Sequence, residues 1–447
     1  MNSMMREFCL SVIGLLLLGY VVGDKGFAHI GVPPIYIGEV VIAICIFIFL
    51  YTLDFRIFLE SRIVWYVAGF DLWCFFQTIP YISDYGIDTL RDSVVFGYSI
   101  FAFIISSYML RTWTIIKFLA LYDSAISICV ILMPLLILRQ RQMVDVGDAD
   151  MPIIYLKAGD VAVHLAGILT YRLLGLREIA APQNSRFKWN LDWLFWLSWF
   201  ATMLWAVSAS RGGMLALASA FLVPVLFGFV RHRWRNLMLA MIGLMALLLV
   251  LMPRIERDDR EISLAQITNN ISSIFMGGAA ASGDGLADLE STAEWRLQWW
   301  GDIVDDVVFG PYFWTGKGFG LNLADADGYQ VDPEERLRSP HSIHMTVLER
   351  AGVPGLALWL LVQGAFAVTL IRRAGRMRKK GEFGWQRLNL WILSYWLASI
   401  VNASFDVYLE GPQGGIWYWS IFGFGLAVLA MEKRILSGRP FSVGTMP

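Results

Sequence analysis

Arginine, histidine and hydrogen-bonding small residues meet in Arg338-Ser339-Pro340-His341-Ser342-Ile343-His344, which closes the one long polar stretch of the chain, roughly 254–340. Proline suits a first helical position and serine suits the cap before it. A helix is therefore expected to start at Pro340, capped by Ser339, and to run through Val347 and Leu348 until Gly352-Val353-Pro354-Gly355 stops it. On that reading His341 lies in the first turn, where free backbone N–H groups and the positive dipole end attract anions. The same field disfavours imidazolium, which leaves a neutral ring able to take a proton. Arg338 stands beside it as a partner for an anion. His341 and His344, three apart, would share a helix face, but no third ligand lies at useful spacing, so no metal is expected.

Other places along the chain carry polar groups that could do chemistry. Ser208-Ala209-Ser210-Arg211-Gly212-Gly213 is a tight turn between two apolar runs. There glycine lets a backbone approach, and Arg211 with Ser210 can grip a phosphate or, more plainly, Arg211 can snorkel from a helix end. Ser291-Thr292-Ala293-Glu294-Trp295-Arg296-Leu297-Gln298-Trp299-Trp300 opens like a capped amphipathic helix. It places Arg296, Trp299 and Trp300 on one face, with the tryptophans at headgroup level or stacked on sugar rings. Lys157, Asp160 and His164 share a face of an apolar run, as a Lys157–Asp160 pair or with Lys157 holding phosphate near the outer end. Asn402, Asp406 and Glu410 can line the same cavity. Thr315-Gly316-Lys317-Gly318-Phe319-Gly320 lacks the frame of a nucleotide loop and reads as a flexible turn framing the site. Asp325-Ala326-Asp327-Gly328 hints at calcium without the downstream bidentate glutamate.

The elements that must position these groups follow from composition. In 447 residues, 57% are hydrophobic and only 16% charged, against about 25% charged in an average globular chain. Apolar runs long enough to cross a bilayer recur at about 8–23, 35–53, 63–81, 93–111, 113–137, 151–171, 190–209, 213–230, 236–253, 351–371, 388–404 and 411–431. The first is expected to be an uncleaved span, since no small-x-small cleavage site follows it. Basic residues gather in alternate loops, from Arg56 and Arg62 through Arg231, Arg233 and Arg235 to the Arg372–Arg387 cluster, Lys433 and Arg434. The positive-inside rule then puts both termini in the cytoplasm and the polar stretch outside. An even count of about twelve returns the chain to its starting side.

The expected fold is thus all-α and polytopic, with about 12 transmembrane helices and one long periplasmic loop containing amphipathic helices. It divides into residues 1–189 (helices 1–6), 190–253 (helices 7–9 with the Ser-Arg-Gly-Gly turn), 254–350 (the loop with the reactive segment) and 351–447 (helices 10–12 and the tail). The acidic Glu256, Asp258, Asp259 and Glu261 and the Gly/Ala/Ser run at 277–287 open that loop. The four cysteines, Cys9, Cys45, Cys74 and Cys129, all sit in apolar runs, so no disulfide or thiolate site is expected in it. The net charge of −1 gives no ground for a nucleic-acid partner.

Taken together, Ser208-x-Ser210-Arg211-Gly212-Gly213, Arg296-x-x-Trp299, the Gly316/Gly318/Gly320 turn, Pro340-His341-Ser342, Gly352-x-x-Gly355 and Asn402-x-x-Phe405 resemble, in order and topology, the bacterial O-antigen ligase family. That family includes O-antigen and exopolysaccharide polymerases. The resemblance covers about 200–410. It implies a membrane glycosyltransferase of the GT-C-like kind in the bacterial inner membrane, with no cofactor. Such an enzyme takes glycan from an undecaprenyl-diphosphate donor at the periplasmic face, without metal and with inversion. By resemblance Arg211 and Arg296 hold the diphosphate and His341 sits by the acceptor hydroxyl. From their residue types and placement, Arg338, Lys157, Trp299, Ser210, His344 and Asp406 are expected to bind the substrate. The acceptor would be lipid A core for a ligase, the reading slightly favoured, or a second lipid-linked glycan for a polymerase. A lipid-linked glycan transporter is the rival from another class; repeats and broken helices at mid-membrane would mark it.

Overall fold

A computed structural model describes residues 2–32, 35–52, 55–110, 112–144, 152–180, 192–229, 284–333 and 337–437. The expected span at 236–253 and the acidic and Gly-rich opening of the loop lie outside them. Twelve longer helices order the described chain: α1 (Asn2–Ala28), α2 (Ile37–Thr52), α3 (Arg62–Thr78), α4 (Ile100–Tyr108), α5 (Thr112–Val144), α6 (Ala158–Leu173), α7 (Asp192–Ala209), α8 (Arg211–Leu226), α9 (Asp284–Val304), α10 (Ile343–Lys379), α11 (Phe383–Ala403) and α12 (Pro412–Leu436). Short helical turns and one two-stranded hairpin, Gly31–Val32 with Ile35–Tyr36, fill the links among the described residues.

α6, α11 and α12 form the centre, and nearly every residue of α6 and α12 is buried. Around them the peripheral helices turn Leu15, Phe47, Leu50, Leu132, Leu135, Leu226 and Leu360 outward. Rows of exposed large apolar side chains on helices whose inner faces are also apolar mean that the surrounding solvent is lipid. The protein is a membrane protein. Among the described residues four helices (Ser3–Ala28, Ile115–Gln140, Ile343–Lys379 and Pro412–Leu436) are long and apolar enough to cross alone, and the bent pair Ile87–Gly97 and Ile100–Tyr108 makes a fifth. Ile37–Thr52 and Arg211–Leu226 are apolar but only 16 residues long. Of the about twelve expected spans, up to five meet that length and composition among the described residues.

The two ends of the bundle differ in charge. At one end Arg434 meets Glu60 at 2.8 Å, and Arg172 and Arg177 meet Asp192 at 3.3 and 2.6 Å. The other end carries Lys157, Arg211, His341 and Asp406. Arg172 follows Lys157 by 15 residues along α6, a rise of about 22 Å at 1.5 Å per residue.

Three expectations are corrected here. Lys157 is not inside a helix: residues 152–157 are mostly non-helical and Lys157 caps α6. The helix of the reactive segment starts at Ile343, capped by Ser342, so Ser339 is no cap and His341 lies before the first turn. A helix from Pro340 would need the Pro340 carbonyl for the His344 N–H, but the Trp300 indole donates to that carbonyl at 2.8 Å. Lastly, α10 does not end at Gly352. It kinks there, at φ 70°, and continues to Lys379. The Val353 N–H finds the Phe313 carbonyl at 2.8 Å, and Pro354 needs no partner because it has no N–H. A Cβ on Gly352 would stand 2.6 Å from that same carbonyl, so the position requires glycine.

Candidate functional site

Asp406, in the link between α11 and α12, is the hub. Its Oδ1 accepts from Lys157 Nζ at 2.8 Å and from the Val407 N–H at 2.8 Å, and lies 3.8 Å from His341 Nδ1. Burial works against ionising Asp406, but the His341 contact and the Lys157 ammonium outweigh it and hold the carboxyl below the usual range. Burial likewise works against the Lys157 charge, and the carboxylates Asp160 and Asp406 overcome it and raise its pKa. One residue upstream of the hub, the Phe405 carbonyl accepts from Arg296 Nη1 at 3.1 Å. Desolvation is the main reason that the Arg296 pKa falls; Arg211 adds repulsion and Asp406 opposes it. Lys157 and His341 thus meet on one carboxylate, Arg296 feels its charge, and Arg211 lies close to Arg296.

Arg211 is held by the start of α8, where the Ser210 hydroxyl accepts from the Gly213 N–H at 3.0 Å. Ser210 is therefore a cap, with its side chain turned into the fold. A Cβ on Gly159 would lie 2.7 Å from Asn402 Oδ1, so α6, α8 and α11 approach closely behind the cations. Beneath them Asp160 accepts from Asn402 and Gln413, each at 3.4 Å, and Asp24 accepts from the Lys157 backbone N–H at 2.6 Å.

His341 and Asp24 are the only non-glycine residues with positive φ among the described residues, at 55° and 47°. Such backbone costs on the order of 1–3 kcal/mol and persists where surroundings over-determine it. Both strained residues flank the same Lys157–Asp406 pair. The strain at His341 lifts the ring out of the helix start and turns Nδ1 to Asp406. The dipole argument for His341 is replaced by a carboxylate beside the ring.

The remaining sequence candidates are placed elsewhere. Trp299 is fully buried, with its indole donating to Asp327 Oδ2 at 2.6 Å and its ring stacked on Tyr329 at 5.3 Å. It is core, and offers no face to a sugar. Its helix α9 begins at Asp284, ahead of the expected Ser291/Thr292 cap. Arg338 donates to Asp92 Oδ2 at 3.1 Å and to the Gly320 carbonyl at 2.9 Å, so it pins the Gly-rich turn. His344 accepts from Trp359 through Nδ1 at 3.1 Å and meets Ser404 Oγ through Nε2 at 3.1 Å, so both ring nitrogens are engaged in helix packing. Lys157 pairs with Asp406 rather than Asp160. His164 meets the Tyr395 hydroxyl at 2.8 Å, deep in the bundle. Glu410 accepts from Thr346 at 2.9 Å, and burial raises its pKa.

The Gly316/Gly318/Gly320 turn is pinned, not flexible. Lys317 in it contacts Asp327, Asp306 at 3.2 Å and Glu349 at 3.2 Å, and its backbone N–H donates to the Glu349 carbonyl at 2.6 Å. Asp327, part of the calcium hint, serves this lysine and Trp299. Sequence reasoning set Trp300 on the Arg296 face, at headgroup level or against a sugar, but its indole instead holds the Pro340 carbonyl next to the His341 bend. It missed Asp24, a charge at the end of an apolar run, which the cost of such placements does signal.

Fold and site define a polytopic membrane protein with a cluster of cations at one end of its bundle, beside a carboxylate and a strained histidine. Residues 196–360 match the family model described as O-Antigen ligase. The matched stretch contains Ser210, Arg211, Arg296, Trp299, Arg338, His341 and His344, whereas Lys157 and Asp406 lie outside it. No curated protein matches the chain.

Proposed function

We propose that this protein transfers a glycan from a lipid diphosphate, of the undecaprenyl kind, to an acceptor hydroxyl at the outer membrane–water boundary. The observation that supports the reading is the meeting of Lys157 and His341 on Asp406, with Arg296 within reach of that carboxylate's charge and Arg211 close to Arg296, at the bundle end opposite the Arg172, Arg177 and Arg434 ion pairs. The basic end is cytoplasmic by the positive-inside rule, so the pocket faces the periplasm of a bacterial inner membrane.

The glycosyl–phosphate bond is already activated, so the protein has to orient two substrates and neutralise the charge that develops on the leaving diphosphate. Arg211 and Arg296 serve the diphosphate. His341 takes the acceptor proton through Nε2, with Nδ1 directed at Asp406, whose charge stabilises the ring once protonated. Attack opposite the leaving group breaks the bond from the anomeric carbon to the diphosphate oxygen and forms a bond to the acceptor oxygen, which inverts that carbon. No step in this scheme requires metal. Among acceptors, lipid A core is preferred over a second lipid-linked glycan.

Purified protein, given a lipid-diphosphate glycan and each acceptor in turn, tests the reading. Transfer in EDTA to one acceptor is expected, and it should be lost in Arg211→Ala and His341→Ala proteins that are made in normal amounts. Transfer retained by both variants overturns the assignment of roles. No product from either acceptor returns the transporter reading.

A further inference from the structure

Past α9 the chain turns large apolar side chains outward. One wide turn of π-helix, Asp305–Phe309, follows α9, and a bend at 310–315 leads from it into the Gly316/Gly318/Gly320 turn. The segment has two faces. Val307 is fully buried and Phe313 half-buried, whereas Phe309 is 79% exposed, Trp314 is 68% exposed and Tyr312 is exposed as well. Asp302, Asp305 and Asp306, just before Phe309, are exposed carboxylates. They keep the end of α9 itself in water, because a charge in hydrocarbon is costly.

The depth of the segment follows from what its inner face holds. The Phe313 carbonyl accepts from the Val353 N–H at 2.8 Å, at the Gly352 kink of α10. One residue before that kink, the Ala351 carbonyl accepts from the Trp73 indole of α3 at 2.9 Å. The segment is thereby level with the kink and with the last turns of α3. Arg372, where the basic cluster begins, follows Val353 by 19 residues along α10. That is a rise of about 29 Å, against a hydrocarbon core about 30 Å thick. The kink therefore stands at the boundary of the lipid core, at the end remote from the basic cluster.

The neighbouring surface is already lipid-facing. Leu360 and Leu361 are exposed on α10 below the kink, Phe75 and Phe76 are exposed on α3 beyond Trp73, and Ile79 is exposed past its end. Gly318 and Gly320 press against Tyr81 and Tyr85 with no room for a Cβ, which ties the segment to that end of α3. Phe309 and Trp314 extend this apolar surface, at the level where aromatic rings are favoured by their fit to the membrane–water boundary.

We infer that Phe309–Trp314 is a membrane-dipping turn: Phe309 and Trp314 sit among bulk phospholipid, at the junction of acyl chains and headgroups, and hold the lobe carrying α9 to the bilayer. The membrane contact expected of the α9 tryptophans falls to the turn after them, since Trp299 is core. The inference needs the membrane-spanning fold and not the transfer reaction.

Spin labels read the depth. Phe309→Cys, Trp314→Cys, Leu360→Cys and Val331→Cys proteins, full-length and each without the four native cysteines, are labelled with a nitroxide in phosphatidylcholine nanodiscs. They are then exposed to oxygen, which concentrates in lipid, and to a neutral nickel chelate, which stays in water. The ratio of the two collision rates at 309 and 314 is expected to lie several-fold above that at 331 and to approach that at 360. A ratio at 309 and 314 no higher than at 331 overturns the inference. So does a label shielded from both reagents, or one broadened by a second label, since a protein neighbour or a second copy then covers the turn. If the protein without native cysteines fails to fold, the same labels are placed in the native background, whose four cysteines are all buried.

Discussion

Replacing Asp406 by asparagine removes one charge from the centre of the pocket and little else. The Asn oxygen still accepts the Val407 N–H, which Asp406 Oδ1 accepts at 2.8 Å, so the link between α11 and α12 keeps its turn. What is lost is the attraction to a protonated His341 3.8 Å away and to Lys157 at 2.8 Å. For the histidine, Coulomb's law gives about 4 kcal/mol at an effective dielectric of 20 and about 1 kcal/mol in bulk water. The side chains of His341 and Asp406 are 26% and 22% exposed, so screening sets the value between these limits, at about 2 kcal/mol. That corresponds to roughly a 30-fold slower turnover at saturating donor and acceptor. Single-turnover transfer with purified protein reads it, compared with His341→Ala and with the double variant. Because Asp406 acts on the proton through His341, the double variant should be no slower than His341→Ala. Turnover within twofold of the unaltered protein, or losses that multiply in the double variant, would refute the coupling.

Three other outcomes follow from the same geometry. Gly352→Ala places a Cβ 2.6 Å from the Phe313 carbonyl oxygen at φ 70°, which costs at least about 1–2 kcal/mol, so the midpoint of thermal unfolding in detergent falls, and an unchanged midpoint sinks the account of the kink. Val331, 69% exposed beside the Trp299 lobe, reports sidedness: Val331→Cys in a variant without the native cysteines reacts with an impermeant maleimide in cells whose outer membrane is permeabilised, and protection inverts the assigned topology. The pH dependence has two signs. Asp406, held below the usual carboxylate range, contributes stability above about pH 4 that is lost as the pH falls further, while Lys157, raised, contributes below about pH 10 and its share is lost on further alkalinisation. Thermal midpoints across pH check this: Asp406→Asn should flatten the acid fall, and an identical acid fall in both proteins argues against the pair.

Much of the architecture is written in one dimension. A chain with 57% hydrophobic residues in recurring runs folds into apolar helices, and the distribution of arginine and lysine distinguishes the two ends of the bundle. Residue type and order also singled out Arg211, Arg296, His341, Lys157 and Asp406, because a cation or carboxylate beside an apolar run is costly without a task or a partner. What periodicity could not decide was which of these groups meet. Trp299 and Arg296 sit three apart on one helix, yet one is sealed against Tyr329 while the other reaches the Phe405 carbonyl. His341 and His344 look equivalent in the sequence, but Trp359 and Ser404 occupy His344, and Trp300 holds the bend that frees His341. These outcomes depend on partners between 15 and 109 residues away in sequence. Local propensity gave Pro340 a helix start, and one long-range indole hydrogen bond to its carbonyl moved that start to Ile343. Composition determines the solvent that a helix faces, whereas the packing of helices remote in sequence determines which polar atoms they bring together.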